Sequence, residues 1–174
     1  MAQLRAVAIS GSPRAPSKSK ALAELMLRSL ADAGCATKLI DVADLPAEAL
    51  VARAPAAEVD AAIATLAAAQ IVIAATPTYR ALYTGVLKSF FDLMPHGHFA
   101  NKICVPIQTG AAPAHFLAIE YGLRPLFASL DGTAISGVFA TDDQFADGAP
   151  STPLLARIES VAKAAVTLAR GYAG

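Results

Sequence analysis

The sequence predicts an α/β fold, a parallel sheet covered by helices on both faces. Three observations predict it. Five short apolar runs alternate with five helical patterns along the 174 residues. The third run, Ile71 to Ala75, is continuous rather than alternating, the pattern of a strand buried on both sides. The length and an apolar fraction of 55% suit one domain, residues 1–174, with a single sizeable core.

Each element has its own warrant. The first strand spans Arg5 to Ser10, with Ala6-Val7-Ala8-Ile9 as its apolar run. A helix from Ser19 to Ala33 follows, with Leu22, Leu25, Met26 and Leu30 at helical spacing and Gly34 as its stop. The second strand is Thr37 to Val42. A looser segment, Leu45 to Arg53, has Pro46 and Pro55 at its edges. The second helix, Glu58 to Ala69, carries Val59, Ile63 and Leu66. The third strand is Ile71 to Ala75, and the third helix runs from Thr84 to Leu93 with Pro95 just beyond. The fourth strand is Ile103 to Gln108, the fourth helix Ala114 to Leu130, and the fifth strand Thr133 to Val138. A polar loop, Thr141 to Pro153, leads into a last helix, Leu154 to Tyr172. Strict alternation with right-handed crossovers leaves few topologies. The expected one is flavodoxin-like, a three-layer α/β/α arrangement with a five-stranded parallel sheet in order 2-1-3-4-5. Its ligand site lies beyond the carboxyl ends of strands 1 and 3.

Composition excludes several classes. Fourteen basic residues balance fourteen acidic ones, so the basic excess of a nucleic-acid footprint is missing. No unbroken apolar stretch of about 18 residues predicts a membrane span, and no cleavable signal is evident. Cys35 and Cys104 lie far apart, and a reduced, cytoplasmic setting is the simpler expectation.

The segment from Ser10 to Ser19, Ser-Gly-Ser-Pro-Arg-Ala-Pro-Ser-Lys-Ser, sits between a strand and a helix start. Helix N-termini expose unpaired N–H groups and a partial positive charge. Ser12, Ser17 and Ser19 add hydroxyls, and Arg14 adds a planar cation suited to phosphate. Neither GxxxxGK[ST] nor GxGxxG is present, which argues against triphosphate and dinucleotide loops. A cradle for the single terminal phosphate of a mononucleotide remains, and FMN fits it. Two further loops converge if strands 1, 3 and 4 are neighbours: Thr76-Pro77-Thr78-Tyr79-Arg80, and Thr109-Gly110-Ala111-Ala112. Proline stiffens the first of these, and Gly110 allows close backbone approach to a flat ring. Each serine alone also reads as a helix cap; three such loops at three sheet ends favour a ligand.

Other polar residues carry less. His96 and His98 have no third ligand nearby, so no metal site is expected and a solvated loop is the reading. His115 near the fourth helix start reads as a cofactor contact, a cap or an interface residue. Asp92, Asp142 and Asp143 read as surface acids, and no GxSxG elbow supports a hydrolase. The wide apolar faces with Phe90, Phe91, Phe116, Leu117 and Phe127 suit burial against the sheet or a subunit interface equally.

Together the motifs Gly11-Ser12-Pro13-Arg14-x-x-Ser17-x-Ser19, Thr76-Pro77-x-Tyr79-Arg80-x-x-Tyr83-x-Gly85-x-Leu87-Lys88 and Thr109-Gly110 resemble the NADPH-dependent FMN reductase family. The stretch Ala114–Pro125 and Gly137-Val138-Phe139-Ala140 resemble most the reductases of two-component alkanesulfonate monooxygenase systems. The resemblance implies FMN, hydride from NADPH, and release of reduced FMN to a separate monooxygenase. It implies phosphate contacts at Ser12, Arg14, Ser17 and Ser19, and ring contacts at Pro77, Thr78, Tyr79, Arg80, Thr109 and Gly110. It further implies a π-bulge at Tyr121 on a tetramer interface. Ala111 departs from the family's usual second glycine and is expected to narrow the room above the ring. Such chemistry needs no side-chain acid or base, because the flavin carries it. Two other readings are a quinone or azo reductase that retains its flavin, and a flavodoxin-like electron carrier. The neutral charge disfavours the carrier. Arg80 is the candidate cation for a nucleotide 2′-phosphate.

Overall fold

A computed structural model describes residues 3–172. The chain runs β1 (Arg5–Ser10), α1 (Lys18–Asp32), β2 (Ala36–Asp41), α2 (Ala47–Leu50), α3 (Ala57–Ala67), β3 (Ile71–Pro77), α4 (Gly85–Phe91) and β4 (Ile103–Gly110). It continues through α5 (Arg124–Ala128), β5 (Thr133–Ala134), β6 (Val138–Thr141), β7 (Phe145–Ala146), β8 (Ala149–Pro150) and α6 (Thr152–Tyr172). The main sheet is parallel, in order β2-β1-β3-β4-β5, and β6 also pairs with β4. This is the flavodoxin-like order expected from the alternation.

Two cores fill the two sides. Ala6, Ala8, Ile71 and Ile73 pack with Leu22, Met26 and Leu30 of α1 and Ile158 and Ala165 of α6. Val7, Ile9, Val72 and Ala74 pack with Leu66, Leu87, Phe90, Phe91 and Phe127. Strands β1, β3 and β4 are buried almost throughout, whereas β2 lies at the sheet edge with its first half exposed.

Three departures from the expected elements have identifiable causes. Strands β3 and β4 extend to Pro77 and Gly110, so Thr76, Pro77, Thr109 and Gly110 belong to ladder ends rather than to free loops. The fifth strand is interrupted. Cys104 pairs with Ala134 and Ile107 with Val138, so three steps along β4 face four along its neighbour. Pro106 has no N–H to give the ladder there, and a Cβ on Gly137 would stand 2.3 Å from the Pro106 carbonyl oxygen. The extra residue is a bulge, and the strand resumes to Thr141.

The fourth helix is not continuous. Pro113–Phe116 form a 3-10 turn, Ile119–Leu123 a π turn, and Arg124–Ala128 an α-helical turn. Pro125 cannot donate to the carbonyl four residues back, which breaks the regular ladder at this point. The loop after β6 holds a two-stranded hairpin, β7 with β8. Among the described residues no helix is long and apolar enough to cross a membrane.

Candidate functional site

The carboxyl ends of β1, β3 and β4 are tied together by backbone and hydroxyl bonds. Gly11 N–H donates to the Ala75 carbonyl at 2.8 Å, extending the β1–β3 pairing past Ser10. The Thr84 hydroxyl donates to the Gly11 carbonyl and accepts from Leu87 N–H at 3.2 Å, capping α4. Thr78 N–H donates to the Thr109 carbonyl at 2.7 Å. One bonded set therefore fixes all three loops relative to one another.

The first loop turns sharply out of β1. A Cβ on Gly11 would lie 2.6 Å from Leu87 Cβ, so only glycine lets the turn rest on α4. The Ser12 hydroxyl donates to the Arg14 carbonyl at 3.0 Å, folding the turn on itself. Ser17 caps α1, accepting from Lys20 N–H at 3.2 Å, and its hydroxyl lies 3.1 Å from that of Ser19. The first turn of α1 carries no acidic residue, which leaves its N-terminal dipole unopposed. Ser10, Ser12 and Ser19 are buried, and Ser10 Oγ has no hydrogen-bond partner among the described residues. Arg14 is exposed, with its guanidinium 5.9 Å from the centre of the Tyr79 ring.

The second loop is a tight reversal. Tyr79 N–H donates to the Leu82 carbonyl at 2.8 Å, and Leu82 N–H returns a bond at 3.2 Å. The two residues between, Arg80 and Ala81, have φ of 49° and 72°. Consecutive non-glycine residues in this region are uncommon and store strain, a feature that concentrates at functional sites. Below them Thr76 is buried, its hydroxyl donating to the Pro77 carbonyl and accepting from Thr84 N–H.

The third loop is equally close-packed. A Cβ on Gly110 would lie 2.9 Å from His115 Nδ1 and 3.1 Å from Phe139. His115 is half-buried, and its Nδ1 has no partner among the described residues. Ala111, the departure from the family pattern, is exposed, and its backbone stays out of the left-handed region.

The structure thus brings Ser10, Ser12, Arg14, Ser17, Ser19, Pro77, Thr78, Tyr79, Arg80, Thr109 and Gly110 to one end of the sheet. Tyr121 stands apart from these loops' polar atoms, 76% exposed on the π turn. The next residue joins that turn to the second loop: a Cβ on Gly122 would lie 2.9 Å from Leu82. Phe90, Phe91 and Phe127 are buried against the sheet, whereas Phe116 and Leu117 are exposed.

Two residues with roles at this end escape the sequence expectations. The Thr84 hydroxyl bridges to Gly11 over a separation of 73 residues, which no local pattern signals. Gln108 is fully buried and bonded to Thr78. Its signal was present, a polar residue closing an apolar strand.

Groups elsewhere have other uses. The solvated-loop expectation holds for His96 alone. His98 is half-buried, its Nε2 3.1 Å from the Ile63 carbonyl oxygen, and burial lowers its pKa below the usual value. Burial pushes the Cys104 thiol up to about 12, so it stays neutral. Cys35 and Cys104 are both free thiols. Asp92 pairs with Lys88, and Asp142 with Lys18 at 2.7 Å, all on the surface. Among the described residues no three His, Cys, Asp or Glu side chains cluster as metal ligands.

Comparison with known proteins gives consistent results. A family model described as NADPH-dependent FMN reductase matches residues 4–146. An FMN reductase (NADPH) of Pseudomonas putida is 37% identical over 157 residues, 88% of this chain and 80% of the relative. An NADH-dependent FMN reductase of Pseudomonas fluorescens, SfnF, is 33% identical over 171 residues, 95% of this chain and 91% of the relative. The crystal structure of an NADH:FMN oxidoreductase in its apo form superposes with a TM-score of 0.88 at 32% identity, covering 97% of this chain and 90% of the other. A flavodoxin of Streptococcus pneumoniae shares the fold alone, with a TM-score of 0.67 at 14% identity, covering 94% of this chain and 98% of the other.

Proposed function

The chain belongs to the NADPH-dependent FMN reductase family, and we propose on that premise that it transfers hydride from NADPH to FMN and releases reduced FMN to a separate monooxygenase. The observation that carries this reading is the bonded convergence of three sheet-end loops beside the start of a 15-residue helix with no acid in its first turn. That donor set fits a phosphate monoester. It offers hydroxyls at Ser12, Ser17 and Ser19, the free N–H groups of α1, and a guanidinium at Arg14. Gly11 and Gly110, whose Cβ positions are taken by Leu87 and by His115 and Phe139, let the first and third loops pack close against their neighbours and so hold the site's shape.

In this reading Ser12, Arg14, Ser17 and Ser19 bind the phosphate, and Ser10 lies beneath it. Pro77, Thr78, Tyr79, Arg80, Thr109 and Gly110 hold the ring. FMN supplies the hydride-accepting chemistry. The protein supplies orientation, through a loop set whose backbone is bonded before any ligand arrives. No side chain here has to move a proton, so no catalytic acid or base is assigned.

The partner is proposed to be an FMNH2-dependent monooxygenase acting on an organosulfur substrate; the SfnF name of a relative supports a sulfur role. The chain acts as a single cytoplasmic domain and assembles as a homo-oligomer, a dimer or tetramer. Exposed Phe116, Leu117 and Tyr121 on one segment support the assembly, with His115 beside them. The deciding experiment follows nicotinamide absorbance with purified protein, NADPH or NADH, and FMN, FAD or riboflavin in turn. Fast oxidation of NADPH dependent on FMN supports the reading. Oxidation with none of the three flavins would sink it, as would turnover only with a retained flavin and a quinone.

A further inference from the structure

Nothing in the proposed function uses Gln108. Its side chain is fully buried at the carboxyl end of β4, where the residue is in register with Thr76 of β3 and Phe139 of β6. Nε2 donates to Thr78 Oγ1 at 3.0 Å, while Oε1 has no partner among the described residues. A buried amide satisfied on one side only is costlier for the sheet than an apolar residue would be. Stability of β4 therefore does not account for it.

The effect of this amide falls on one atom. The backbone of Thr78 is already held by its own bond to the Thr109 carbonyl. Gln108 adds a constraint on the Thr78 hydroxyl alone, which has no other partner among the described residues. A hydroxyl has one proton and two lone pairs. Accepting from Nε2 uses a lone pair and turns the proton away from β4.

We propose that Gln108 is a positioning residue which makes the Thr78 hydroxyl a hydrogen-bond donor toward an acceptor on the flavin ring. This inference rests on the FMN reading above. It separates the ring loop from the phosphate turn, because the ring is common to FMN and riboflavin and the phosphate is not.

The test measures dissociation constants for FMN and riboflavin by fluorescence quenching, together with the visible absorption band of the bound flavin. The proteins are wild type, Gln108→Leu, Thr78→Val, Thr78→Ser and the Gln108→Leu/Thr78→Val double variant. Gln108→Leu and Thr78→Val should each weaken both flavins by about 3- to 10-fold. Each should also shift the absorption band in the same direction. The double variant should lose no more than the larger single loss, since the two residues act as one unit. Thr78→Ser, which keeps the hydroxyl, should restore binding. Additive losses, a loss confined to FMN, or wild-type affinity in a folded Gln108→Leu protein would overturn the inference. Should Gln108→Leu fail to fold, equal affinities of Thr78→Val and Thr78→Ser would overturn it. A wild type that binds neither flavin removes the FMN reading itself, and this inference with it.

Discussion

Replacing Arg14 by alanine isolates the phosphate turn. Among the described residues Arg14 has no acidic partner, and its guanidinium lies 5.9 Å from the Tyr79 ring centre. A charge-assisted hydrogen bond is worth about 1.5–3 kcal/mol. Leaving the exposed ring face costs about 0.5–1 kcal/mol of that. The difference, roughly 1–2 kcal/mol, corresponds to about a 5- to 30-fold loss of FMN affinity. Riboflavin lacks the phosphate, so its affinity should stay within about twofold. Fluorescence titration of both flavins against wild type and Arg14→Ala reads the contrast directly. Unchanged FMN affinity would refute the phosphate role, and equal losses for both flavins would reassign Arg14 to the ring.

Three other outcomes are expected. Gly11→Ala drives a Cβ into Leu87; overpacking of this kind costs about 1–3 kcal/mol, which lowers the melting temperature by roughly 2–12 °C and weakens FMN as the turn shifts. Scanning calorimetry checks it, and an unaltered melting temperature would contradict the close contact. Arg80→Ala should raise the KM for NADPH while leaving that for NADH nearly unchanged, if Arg80 meets the 2′-phosphate; equal KM changes for the two nucleotides would remove that role. His98 has a pKa lowered first by burial and further by Lys102, against the raising effect of the Ile63 carbonyl. Below about pH 6.5 the unfolded chain therefore binds more protons than the native one, so stability present above that pH is lost as pH falls toward the depressed native value. Urea midpoints between pH 7.5 and 5.5 should fall more for wild type than for His98→Gln, and parallel curves would exclude His98 as the cause.

Short apolar runs and their alternation with helical patterns specified the strands, their parallel order and the switch point where the loops meet. These are local or chain-order properties, governed by burial and by handed connections. The serine–arginine turn was legible for the same reason, since Ser17 caps the helix immediately after it. Where a proline alters the ladder, local reading stopped short. Pro106 opposite Gly137 bulges the fifth strand, and Pro125 breaks the fourth helix into 3-10, π and α turns.

Only the tertiary structure decided how the site is held. The bonds from Thr84 to Gly11, from Thr78 to Thr109 and from Gln108 to Thr78 join residues far apart in the chain. The same holds for which aromatics are spent on the core. Phe91, Phe99 and Phe127 pack together with ring centres 5.7–6.1 Å apart, while Phe116 and Tyr121 face outward. Helical periodicity places a side chain on a face of its own element. What that face meets depends on where the sheet folds the other elements, and pairing of that kind leaves no mark on spacing within a single segment.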